Sequence, residues 1–192
     1  MSTGRLEAFS DGVLAIVITV MVLELNPPDG DTIHSLIHAS GLSLITYLLS
    51  FVYIGIYWNN HHHMFHVVEH VDGIVLWANL HLLFWLSLYP FTTAWMDETD
   101  LARTPLVVYG LNLLAAAVAY YVLQRAIFRS PGGDRLRQAL GRDLKGKISP
   151  VLYAVAIPGA FLSRWIAVGL YVAVAVLWFV PDRRLEIRTE KG

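Results

Sequence analysis

The sequence predicts an all-α integral membrane protein with six transmembrane helices per chain and both termini in the cytoplasm. Three observations carry that expectation. Apolar residues fill 56% of 192 positions against 15% charged, with a mean hydropathy of +0.53, where a soluble domain needs more charge to solvate its surface. The apolar residues fall in runs close to the ~20 residues that cross a hydrocarbon core. Lysine and arginine are divided unevenly between the segments that join those runs. A net charge of −1 offers no basic face for phosphate, so nucleic acid is not an expected partner. With no cysteine, the chain has no disulfide, thiol nucleophile or thiolate metal site.

The first four spans are read at residues 6–25, 36–58, 74–95 and 106–123. The last apolar stretch, Ile148 to Val180, is broken only at Ser163-Arg164. As one helix it would be ~50 Å long, well beyond a hydrocarbon core of ~30 Å. Two shorter helices, at 148–162 and 165–180, joined across Pro158 to Arg164, fit better and complete six. Turn chemistry punctuates the chain: Asn26-Pro27-Pro28-Asp29-Gly30 closes the first span, and Ser130-Pro131-Gly132-Gly133 follows the fourth. No linker divides residues 1–192, so a single membrane domain is expected. The first span contains Asp11 and lacks a small-residue cleavage site, which argues against a removable signal peptide.

Positive charge sets the orientation. With the N-terminus inside, Arg5, Arg125, Arg129, Arg135, Arg137, Arg142, Lys145, Lys147, Arg183, Arg184, Arg188 and Lys191 are all cytoplasmic, and only Arg103 and Arg164 lie outside. The segments from Asn26 to Asp31 and from Asp97 to Asp100 are acidic, as outer loops can be. The expected place is the cell (inner) membrane, with the lipid bilayer as a partner.

The first helix opens on Arg5, then Phe9-Ser10-Asp11, ahead of an apolar run from Gly12. Ionisable groups this close to a span cost several kcal/mol unless they pair or face water, so they mark a functional or assembly site. Arg5 and Asp11 are six apart and off one another's face, which points each to partners on other helices; His61, Asp72 and Asn79 are candidates. Ser10 can bond its own backbone. Further along, Ile16, Val20 and Leu23 recur at i, i+4 and i+7, one stripe of a helix with Thr19 beside it. Such a stripe can pack against lipid or a neighbouring helix, or copies of it can ring a pore and gate ions by dewetting.

His61-His62-His63, His66, His70 and His81 are the other conspicuous group. His62 with His66, or His66 with His70, has the i, i+4 spacing that places two imidazoles on one metal. A catalytic membrane metal centre would need further histidine boxes, so an interfacial cluster whose charge changes near neutrality is the simpler reading. Trp58, Trp77, Trp95, Trp165 and Trp178 fall near span ends and read as interfacial anchors, and the tyrosines get no sharper reading. Asn79 and Asn112 lie within spans, where interhelical hydrogen bonds are expected. Pro90 should kink the third helix, and Pro150 and Pro158 shape the fifth. The basic stretch from Arg125 to Lys147 sets topology and can touch anionic lipid.

Arg5-x3-Phe9-Ser10-Asp11 at the head of the first helix resembles the signature of the transmembrane protein 175 family of potassium channels. Trp58-x2-His61-x3-Phe65, Asp72, Asn79 and Tyr89-Pro90-Phe91 match that family's second and third helices in order and spacing. The resemblance is strong over the first half and extends to the second only in span number and length. It implies a potassium-permeable cation channel rather than an enzyme. Potassium ions would be the permeant species, without a cofactor or bound metal. A single six-span repeat implies a homotetramer, since two-repeat members dimerise, with each first helix lining a central pore.

By the same resemblance, Ile16 is the main apolar constriction and Val20 and Leu23 form further rings; Val20 is smaller than the leucine expected there. Thr19 matches a hydroxyl position near the constriction, where an oxygen can replace part of a cation's hydration. Arg5, Phe9, Ser10 and Asp11, with His61, Asp72 and Asn79, are then a structural clamp fixing the pore helix against the second and third helices. The Thr-Val-Gly-Tyr-Gly filter of ordinary potassium channels is absent from the sequence, so a modest preference for potassium is expected. Two rivals belong to other classes: a secondary transporter with Asn79, His81 and Pro90 near midplane, and a histidine-metal membrane enzyme.

Overall fold

The computed structural model describes residues 3–66, 68, 71–130, 133, 136 and 144–179. Seven helices are assigned among them: α1 (Thr3–Leu23), α2 (Ile33–His66), α3 (Gly73–Ser87), α4 (Tyr89–Glu98), α5 (Arg103–Arg129), α6 (Leu144–Leu162) and α7 (Arg164–Phe179). Four segments are long and apolar enough to cross a membrane, namely α1, α2, α3 with α4 taken together, and α5. These cover the first four expected spans. α6 and α7 form where the fifth and sixth were expected but are shorter or less apolar. The basic C-terminal residues Arg183, Arg184, Arg188 and Lys191 lie outside the described residues.

Local chemistry explains the helix ends. Thr32 and Ser35 cap α2 reciprocally: each backbone N–H donates to the other's hydroxyl, both at 3.1 Å, which satisfies donors that a helix start leaves orphaned. Asp72 caps α3 from an extended backbone (φ −94°, ψ 178°), accepting from the Val75 N–H at 2.9 Å. Pro90 does more than kink the third span. α3 stops at Ser87, Leu88 stands between the helices, and Pro90 falls in the first turn of α4, where its missing N–H costs nothing. At the other end of the chain, Pro158 lies inside α6 and the break comes later. Ser163 separates α6 from α7, its hydroxyl taking the Trp165 N–H at 3.3 Å.

α5 is the centre of the packing, touched by α3, α4, α6 and α7. At its heart lie Tyr53, Tyr89, Tyr109, Tyr153 and Tyr171, all buried, with neighbouring ring centroids 5.6 to 6.5 Å apart. Buried hydroxyls need partners, and most of these find them. Tyr53 donates to the Tyr171 carbonyl at 2.6 Å, Tyr171 donates to the Leu106 carbonyl at 3.0 Å, and Tyr109 shares a bond with Ser50 at 3.0 Å. Gly110 makes the second of these possible. A Cβ at that position would overlap the Tyr171 hydroxyl, so the missing side chain opens the carbonyl one turn earlier. α1 stands outside this core, and its main helix contacts are with α2, α3 and α4.

Candidate pore face and the helix that carries it

α1 has two apolar faces. Thr3, Leu6, Ser10, Leu14, Val17 and Met21 recur every three or four residues and are all buried against the bundle. Arg5, Phe9, Gly12, Ile16, Thr19, Val20 and Leu23 share another face, and all are exposed. Ile16 is 65% exposed and Leu23 76%, while Val20, nearer the edge, is 37%. Thr19 donates its hydroxyl proton to the Ala15 carbonyl at 2.8 Å, so only its oxygen lone pairs face outward. Beside this face runs an open groove of about 720 Å³ between α1 and α4, lined by Ile16, Val20, Glu24, Phe91 and Trp95 among others.

The buried face is held by polar contacts of one direction. Asn79 on α3 donates through Nδ2 to Ser10 Oγ at 3.0 Å, and Ser10 donates in turn to the Leu6 carbonyl at 2.9 Å. With its amide N–H spent on Ser10, Asn79 offers Oδ1 to His61 Nε2 at 2.8 Å. His61 must therefore carry a proton on Nε2. Ser10, Asn79 and His61 are all at least 98% buried, where each such bond matters because an orphaned partner costs about 1–3 kcal/mol. Thr3 adds a fourth tie, donating to the Val68 carbonyl at 2.8 Å.

Of the seven motif residues, the structure brings Ser10, His61 and Asn79 together and sends the others elsewhere. Asp11 is exposed and accepts from Trp58 Nε1 at 3.0 Å, a partner the sequence suggested only as an anchor. Asp72 is spent on its own helix cap. Arg5 is exposed, on the face of Ile16 and Leu23, and so is Phe9. Glu7, which the sequence did not single out, lies 3.4 Å from His62 Nδ1. The signal for both new contacts was the i, i+4 pairing of Glu7 with Asp11 and of Trp58 with His62.

The residues that pointed to rival classes are dispersed. Asn79 belongs to the buried chain of hydrogen bonds, His81 accepts from Trp85 Nε1 at 3.0 Å on the exposed side of α3, and Pro90 opens α4. Among the described residues no three histidine, cysteine or acidic side chains are placed to share a metal. The His62 and His66 rings lie 5.9 Å apart. His70 lies outside the described residues.

Residues 5–90 match the sequence model of a family described as endosomal/lysosomal potassium channel TMEM175. A protein from Chryseobacterium sp. (strain P1-3) named as a potassium channel is 48% identical over 187 residues, covering 97% of each chain. Another so named, from Chamaesiphon minutus, is 34% identical over 91% of this chain and 92% of its own. The fold is similar to the crystal structure of a lysosomal potassium-selective channel TMEM175 homolog from Chamaesiphon minutus, with a TM-score of 0.77 and 33% identity over 93% of this chain and 96% of that one.

Proposed function

We propose, for a chain that belongs to the TMEM175 family, that it is a potassium channel conducting passively through a central pore. Four copies surround the axis, each contributing six spans, with both termini cytoplasmic in the cell (inner) membrane. α3 and α4 act as one span. α6 and α7, about 28 and 24 Å long at 1.5 Å per residue, supply the last two. No cofactor is needed; K+ is the permeant species.

The observation that carries this reading is the uncovered stripe of Ile16, Val20 and Leu23 on a helix whose opposite side is fixed by buried hydrogen bonds. A helix held so firmly presents its free face in one orientation, which is what a ring of identical side chains requires. Four Ile16 side chains would form the narrowest apolar ring, with Val20 and Leu23 forming wider rings. Such rings cannot coordinate a cation and act by controlling width and hydration. Thr19, its proton committed to the backbone, is suited to lend an oxygen to a partly dehydrated ion. Ser10, Asn79 and His61 position the helix, Asp11 is held from α2 by Trp58, and Arg5 and Phe9 face the other copies.

Reconstitution into liposomes with a K+ gradient tests the function. Passive, non-saturating K+ flux is expected. Folded tetramer without K+ flux refutes the channel, and saturable flux coupled to a second solute favours a transporter.

A further inference from the structure

Two acidic residues one turn apart on α1 are met by two residues one turn apart on α2. Trp58 donates to Asp11 at 3.0 Å, and His62 Nδ1 lies 3.4 Å from Glu7 Oε1. The Trp58 and His62 rings are stacked, with centroids 6.4 Å apart and planes 18° from parallel. The four side chains form a ladder with two rungs of different chemistry. The indole N–H donates to Asp11 at any pH. The imidazole is a full ion-pair partner for Glu7 only when protonated, and histidine is the side chain whose charge changes near neutrality.

The ladder's placement on α1 gives it leverage. Glu7 is nine residues before Ile16, about 900° at 100° per residue, so the two project from opposite sides of the helix. A stronger pull of α2 on Glu7 therefore draws the N-terminal end of α1 directly away from the face that carries Ile16. His62 is 54% and Glu7 24% exposed, open enough for protons to exchange and covered enough for the pair to be felt.

We propose that His62 and Glu7 form a pH-responsive latch: protonation of His62 from the cytoplasmic side charges the pair, holds the inner end of α1 back against α2, and raises K+ conduction. The latch rests on the reading of α1 as the pore helix. Among the described residues, His62 meets Glu7 from α1 and Trp58, His61, His63 and His66 from its own helix, with Asp11 one rung away on Trp58. His61 is committed to Asn79, and Arg5, two residues before Glu7, points about 160° away from it. None of these supplies a fixed positive charge that would pre-empt the pair.

The test records K+ current through the full-length channel in planar bilayers while the cytoplasmic side is titrated from pH 7.5 to 5.5 and the other side is held constant. The wild type should gain about 2- to 5-fold, the range open to an exposed ion pair. Glu7→Gln and His62→Gln should each flatten the response, and the double variant should match either single one. His63→Gln and His66→Gln should retain it. A flat or falling wild-type current, or an undiminished response in Glu7→Gln, overturns the latch. Ile16→Asn in the same bilayers separates the failures: if it leaves conductance unchanged, the pore reading fails and the latch with it. If Ile16→Asn changes conductance while the pH response ignores Glu7 and His62, the latch alone fails. Thermal unfolding in detergent adds a readout independent of current. The gap between wild type and Glu7→Gln should be wider at pH 5.5 than at pH 8, and an equal gap counts against the latch.

Discussion

Asn79 on α3 donates to Ser10 on α1 across 3.0 Å, in a site where both side chains are at least 98% buried. That bond joins residues 69 positions apart and gives the first helix its rotational setting, because Ser10 has a fixed place on the helix surface relative to Ile16. Two residues of modest size thus decide which way a row of much larger ones faces.

Replacing Asn79 with Leu should leave the His61 Nε2–H without an acceptor and remove the donor to Ser10. The expected cost is about 1–3 kcal/mol for the orphaned group, seen as a lower thermal midpoint in detergent. Asn79→Asp should also destabilise, since a carboxylate can still accept from His61 but has no N–H for Ser10. A variant as stable as the parent would remove this bond from the list of things that set α1.

Ile16→Asn should raise conductance and weaken the discrimination between K+ and Na+. In the proposed tetramer a polar ring would lower the dewetting barrier of four isoleucines, while the position's 65% exposure means the subunit fold is little affected. Bilayer recordings in K+ and Na+ give both quantities, and unchanged currents would place the constriction elsewhere.

Thr19→Val keeps the branched shape and removes the oxygen. Conductance for K+ should fall with no loss of stability, because among the described residues the hydroxyl bonds only its own helix, at Ala15. Equal K+ currents from the two proteins would take Thr19 out of the ion path.

Gly110→Ala should destabilise by more than 1 kcal/mol, about the cost of displacing the Tyr171 hydroxyl from its buried acceptor. The double variant with Tyr171→Phe should recover part of that loss, since the phenol oxygen is the atom the new methyl meets first. Thermal unfolding of the four proteins forms a cycle, and strict additivity would show that the two positions do not meet.

Mass measurement in detergent should give four copies. A monomer that still conducts K+ would end the central-pore arrangement.

Much of the helix plan was legible in the sequence, because a run of apolar residues near span length is a one-dimensional property. Which side of α1 faces the bundle was not. Leu14 and Val17 are buried while Ile16 and Val20 are exposed, yet all four are branched and apolar. In a membrane both lipid and protein interior accept such residues, so hydrophobic periodicity loses its power to tell inside from outside. The family resemblance and the polar clamp supply what periodicity lacks. Tertiary partners were equally hidden: Trp58 at a span end reads as an anchor until Asp11 is seen beside it, and a tyrosine's spacing says nothing of the carbonyl it will find on another helix. The third span runs where it was read, but as two helices instead of one kinked helix, and for a local reason. Pro90 in a first turn starts a new helix where the same residue in mid-helix bends an old one.

Tyr171 accepts from Tyr53 through its carbonyl and donates to Leu106 through its hydroxyl, so α2 and α5 are bridged by a residue on α7, the last of the described helices. During synthesis α2 and α5 enter the membrane well before α7 has left the ribosome. Until it arrives, the Tyr53 hydroxyl lacks the acceptor it has in the finished fold. Packing of the tyrosine core is therefore completed only when α7 joins it. A nascent chain halted before Arg164 should remain a loose set of inserted helices, open to quality control, and maturation of the channel becomes a check that translation has passed α7.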